Sequence, residues 1–144
     1  MRTIWIGAAA ALAVLAASAA GAATEHFSAA LKGASEVPPT DSKGTGKVSA
    51  TLDTASKAFS YSVTYSGLTG PATMAHFHGP AAPGANAGVQ VPVPGSAVSQ
   101  NPMKGTTTLT DSQVADLEAG KWYFNIHTAA HPGGEVRGQV TKTK

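Results

Sequence analysis

The chain contains no cysteine. That excludes disulfides, thiolate metal sites and a cysteine nucleophile. Charge is also scarce, with eight Asp/Glu and ten Lys/Arg among 144 residues. The acids are scattered, so no carboxylate pair suggests glycoside chemistry. One cation, Arg2, sits in the leader described below, and the remainder is near neutral. There is no basic stripe and no interleaving of aromatic and basic residues, so no nucleic-acid partner is expected. No G-x-S-x-G elbow, P-loop or dinucleotide fingerprint occurs. Internal repeats are missing, and so are the helical patterns between strands that a parallel α/β fold needs.

What is there begins with "MRTIWIGAAAALAVLAASAAGAA". One positive residue, an apolar run from Ile4 to about Ala17 and small residues at Ala20 and Ala22 form the pattern of a secretory signal peptide. The expectation is a signal peptide over residues 1–23, cut after Ala22 or Ala23, then a single domain over 24–144 that is periplasmic or secreted. The apolar run is short for a span, which takes about 20 residues. No second span and no lipidation cysteine follows, so no membrane attachment is expected after cleavage. Without disulfides, an exported domain of this size is held by packing, by a metal, or by both.

Short strand-like runs separated by Gly, Pro, Asn and Ser dominate the rest. They are residues 26–31, 46–53, 58–66, 73–78, 89–93, 104–109, 121–127 and 135–141. In "KAFSYSVTYSGL", Phe59, Tyr61, Val63 and Tyr65 alternate with small polar residues, the period of a half-buried strand. Val48, Ala50 and Leu52 repeat the pattern. About eight such strands predict an all-β fold, an antiparallel Greek-key sandwich or barrel. One short helix is expected in "TLTDSQVADLEAGK", with Thr110 or Asp111 as N-cap, Gln113 completing a capping box and Gly120 ending it. Its expected role is to cross from one sheet to the other. "EVPPT", "GPAAPGANAG" and "VPVPGSAVSQNP" read as loops.

Four of the five histidines fall in two segments, "MAHFHGP" and "NIHTAAHPGGEVRG". Side chains alternate along a strand, so His76 and His78 share a face, well placed to share a metal. Tyr123, Asn125 and His127 share a face opposite Trp122, Phe124 and Ile126. Glu135, Arg137 and Gln139 share another. If the last two strands form a hairpin, His127, Glu135, Arg137 and His131 of the intervening loop form one patch. Bringing His76 and His78 beside it gives four imidazoles, a carboxylate and a guanidinium. Tyr123 and Asn125 read as supporting residues. His26 reads as a first-strand residue, although cleavage after Ala23 would place it third from a free amine, a copper- or nickel-chelating arrangement. A cysteine-free, imidazole-rich set suits copper, zinc, iron or nickel.

"EVPP", "AHFHGPA", "LTDSQVADLEAGKWYFNIHT" and "HPGGEVRGQ" together resemble the CHRD domain, the module named from chordin, from about Phe27 to Val140. The resemblance implies an immunoglobulin-like or Greek-key β-sandwich. In chordin such domains belong to an extracellular antagonist of growth-factor signalling. Phe77 stands where the family commonly has an aliphatic residue, and His131 where many members have Asn. The H-x-H strand is also similar, more loosely, to that of copper–zinc superoxide dismutase, a Greek-key barrel in which an arginine guides the anion. The zinc-loop pattern of that enzyme is missing, so any site here would hold one ion.

Two functions follow as expectations. The first is a superoxide dismutase-like metalloenzyme with one copper or iron ion, copper favoured. His76, His78, His127 and His131 would be ligands, Arg137 would steer superoxide, and Glu135 would position Arg137 or a ligand. The second is a non-catalytic module that recognises a protein or matrix partner, or buffers metal without turnover.

Overall fold

The computed structural model describes residues 21–144. The expected leader therefore lies, but for its last three residues, outside the described residues. All eight expected strands form, with ends within two residues of expectation: β1 (Thr24–Lys32), β2 (Thr45–Asp53), β3 (Ala58–Ser66), β4 (Ala72–His78), β5 (Val89–Pro92), β6 (Met103–Thr108), β7 (Trp122–Thr128) and β8 (Val136–Lys142). They pair antiparallel throughout, in one sheet of order β5-β4-β7-β8-β1-β2-β3-β6.

The sheet rolls up on its apolar face. β3 and β4 stand near opposite edges of the strand order, yet Phe77 touches Phe59 and Tyr61 edge-on at centroid distances of 5.2 and 5.1 Å. Trp122 closes the cluster against Phe59 at 5.8 Å. Alternation supplies the lining: Val48, Ala50 and Leu52 of β2, Phe59, Tyr61 and Val63 of β3, and Phe124 and Ile126 of β7 are all buried. Each Val, Leu, Ile or Phe among them contributes about 1.5–3 kcal/mol through burial. In a chain without disulfides this nearly closed barrel carries the stability.

The expected helix forms as α2 (Asp111–Glu118), with Thr110 as N-cap and Gln113 completing the capping box. It packs against β8, and its first turn reaches edge strand β5, where Gln113 Nε2 donates to Gln90 Oε1 at 3.2 Å. The segment after β5 was expected as loop. Its residues Gly95–Val98 instead form a single helical turn, α1, because the Pro94 carbonyl accepts from Ala97 and Val98 and because Val98 is buried.

Unlike the other strands, β7 is buried at every position. Its inner face meets the core, so something must cover its outer face. The cover is two of the expected loops, residues 36–40 and 79–88, and beneath them lie the polar residues of β4, β7 and β8.

Candidate metal centre

The register of the β4–β7–β8 wall decides which polar side chains meet. His76 stands opposite Asn125, Met74 opposite His127 and His78 opposite Tyr123. On the other side, Asn125 stands opposite Arg137 and Tyr123 opposite Gln139. With period-two alternation, all of these project outward from the barrel.

Three imidazoles converge there. One ring nitrogen from each of His76, His78 and His127 lies within 4.8 Å of the others. His76 Nδ1 is 3.2 Å from His127 Nε2. Asn125 Oδ1 lies 3.0 Å from Nε2 of both His78 and His127. His78 and His127 are 9% and 7% exposed, while His76 is only half-buried and forms the open side.

Loop carbonyls set the tautomers. His78 Nδ1 donates to the Ala87 carbonyl at 3.0 Å, and His127 Nδ1 donates to the Pro132 carbonyl at 2.9 Å. A carbonyl only accepts, so each neutral ring presents an unprotonated Nε2 to the cluster. Such anchoring of the remote N–H is how metal-ligating histidines are oriented. Burial pushes the His76 imidazolium down to about 4, with the charges of His127 and His78 adding to the effect. His78 is also lowered, chiefly by burial. With all three rings in their neutral form, lone pairs meet one another and the Asn125 oxygen, an arrangement of acceptors that a cation satisfies.

The residues behind the cluster hold it in place. The Tyr123 ring lies between His78 and Arg137, with the Arg137 carbon 3.4 Å from the ring centre. Tyr123 Oη accepts from Ala87 N–H and donates to the Ala87 carbonyl. Arg137 donates to Asn86 Oδ1 at 2.8 Å and to the Ala85 carbonyl. Gln139 Nε2 donates to the carbonyls of Ala81 and Gly120, both at 2.8 Å. Together these fasten residues 79–88, and with them the carbonyl that orients His78.

Other expected site residues are placed differently. His131 is outside the cluster. Its loop turns tightly, with His131 N–H on the Thr128 carbonyl and Gly134 N–H on the His131 carbonyl, and His131 lines a separate cavity of about 540 Å³ with Glu36 and Asp41. Glu135 does not reach Arg137. It precedes β8, where strand alternation no longer applies, and its fully buried carboxylate accepts from Ser42 Oγ, Thr69 N–H and Thr69 Oγ1. Burial pulls its pKa up, but hydrogen bonds from Thr128, Ser42 and Thr69 outweigh it and hold the group below its ordinary value. Arg137 is 2% exposed and turned into the 79–88 loop, not toward the histidines. His26 is an exposed β1 residue paired with Thr51.

Sequence reading missed Glu36. It lies in "EVPPT" and is 4% exposed, with Oε1 buried and unpartnered. Burial pushes its carboxyl up to about 7, against the pull of Arg137, the Asn125 side chain and the Val37 backbone. A rare acid set against Val-Pro-Pro was the only signal in the sequence.

The fold and site define an antiparallel β-barrel with an imidazole cluster mounted on its outer wall. The CHRD domain family model matches residues 27–140, and the chain belongs to that family. Membership supports an extracellular β-domain. No curated protein and no solved structure matches the chain significantly. No helix among the described residues is long and apolar enough to cross a membrane.

Proposed function

We propose that this CHRD domain binds one metal ion through His76, His78 and His127, copper before iron, and that the site has superoxide dismutase-like activity. The observation that carries the reading is the pair of Nδ1–H bonds to Ala87 and Pro132, which turn both Nε2 atoms toward the same point as His76 Nδ1. Imidazole donors without thiolate suit copper best among the common first-row ions, by intrinsic affinity. A bound copper or iron ion would supply one-electron exchange, by which two superoxide ions and two protons become dioxygen and hydrogen peroxide. Asn125 spaces the two buried rings. Tyr123 and Arg137 hold the loop that orients His78, and His76 borders the route by which a small anion would arrive.

A second reading, metal buffering without turnover, is favoured by one observation. The guanidinium that would steer an anion is 2% exposed and already engaged with Ala85, Asn86 and Tyr123. Elemental analysis of untagged, exported protein, paired with a superoxide assay on the same sample, separates the readings. About one copper or iron per chain with chelator-sensitive activity supports the enzyme. Metal without activity supports buffering. Neither metal nor activity after reconstitution sinks both.

A further inference from the structure

We propose that the Met74 thioether is a fourth donor to the imidazole cluster and makes it a site for cuprous copper. This rests on the metal-binding reading above and narrows it to copper, with the reduced state the more tightly held. Met74 lies two residues before His76 on β4, on the same outward face, and stands directly opposite His127 on β7. Opposed residues on one face have Cβ atoms about 5 Å apart. That distance is within reach of an unbranched side chain with a polarizable sulfur.

Exposure points the same way. Met74 is 47% exposed, and with Val89 it is one of the two exposed large hydrophobics among the described residues. Met103, by contrast, is fully buried in the barrel. Packing therefore does not explain Met74. The side on which it stands is also where the cluster is least confined. His76 is the most open of the three rings, and it makes no hydrogen bond to a backbone carbonyl, unlike His78 and His127. Three neutral imidazoles and a thioether form a donor set without anionic charge. Soft donors of this kind select Cu(I), whereas Zn(II) and Fe(II) gain little from a thioether.

The test uses the full chain, wild type and Met74→Leu. Cu(I) affinity is measured without oxygen against a coloured cuprous chelator, and Zn(II) is titrated in parallel. X-ray absorption at the copper edge is recorded on both Cu(I)-loaded proteins. Leu is similar in volume and the position is half in solvent, so metal-free thermal unfolding should be unchanged. The expected result is a loss of about tenfold or more in Cu(I) affinity, with Zn(II) affinity little altered. One sulfur neighbour should appear in wild type and none in the variant. Because the chain has no cysteine, a sulfur neighbour can only be methionine. Unchanged Cu(I) affinity in Met74→Leu, or nitrogen neighbours only in wild type, overturns the proposal and leaves the imidazole site standing. Zn(II) binding without Cu(I) binding does the same. A wild-type protein that takes up neither ion overturns the metal-binding reading as well.

Discussion

The imidazole of His78 lies flat against the phenol ring of Tyr123, with centroids 4.8 Å apart and planes 4° from parallel. The same phenol exchanges two hydrogen bonds with Ala87, whose carbonyl accepts from His78 Nδ1. Ring and loop thus fix one imidazole from two directions. Tyr123→Phe keeps the stack and removes the hydroxyl. It is expected to cost about 1 kcal/mol of stability and to weaken metal binding about tenfold. Denaturant unfolding and metal titration check the two effects separately. A variant with wild-type affinity would show that Ala87 needs no help from Tyr123.

His127→Ala removes one of the proposed ligands and leaves Asn125 in place. Metal stoichiometry measured by elemental analysis should fall to near zero while the circular dichroism of the barrel is kept. His131→Ala should bind like wild type, since the structure leaves that ring outside the cluster. In wild type, metal at a hundredfold excess over Kd should stabilise by about 2.7 kcal/mol, a rise in Tm that His127→Ala lacks.

Glu36 and Glu135 give opposite pH dependences. The Glu36 pKa is raised from 4.5 to about 7 in the folded state, so the native protein holds the extra proton. Its contribution is present below about pH 4.5 and is lost as pH rises through 7. Glu36→Gln replaces the carboxylate by a neutral amide. It should raise Tm by about 5 °C at pH 8 and change it little at pH 5. An equal effect at both pH values would mean that Glu36 does not titrate there.

Glu135 behaves the other way. Its pKa is lowered on folding, so its contribution is present above about pH 4.5 and lost as pH falls. Glu135→Gln should cost about 2 kcal/mol at pH 7, through the bonds to Ser42 and Thr69, with metal stoichiometry unchanged. Loss of metal in a folded Glu135→Gln protein would return this residue to the site.

Gly134 has φ +122°, and a Cβ there would overlap Glu36 Oε1 and Asn125 Nδ2. Gly134→Ala is therefore expected to destabilise by about 2 kcal/mol. It should also weaken metal binding by displacing Asn125. Thermal unfolding and titration of the same sample would show the two losses together.

Much of this was legible in the sequence, and the reasons are local. Phe59, Tyr61 and Val63 fixed the inner face of β3, and H-x-H on one strand with Asn125 and His127 on another placed three imidazoles on one face. Those inferences need only the two-residue period of a strand. The inference from spacing failed where the strand ended. Glu135 and Arg137 share a parity, but the left-handed residue Gly134 and the start of β8 at Val136 separate their directions. Glu36 reaches the site from a proline-rich loop distant in sequence, and no periodicity announces that approach. The anchoring groups Ala87 and Pro132 act through backbone carbonyls, which no side-chain motif encodes.

The pairing of β4 with β7 joins residues far apart in the chain. His76 and His127 are separated by 51 positions, with β5, β6 and both helices between them. Closing so long a loop is slow compared with forming the local hairpins. In an unfolded chain His76 and His78 are close in sequence, but His127 is 49 or more positions away from either. The third imidazole and both anchoring carbonyls arrive when the wall assembles. On the proposed metal-binding reading, capture of an ion at this site would be a late event in the life of the molecule, and the rate of loading on an unfolded chain should follow barrel closure, however abundant the metal.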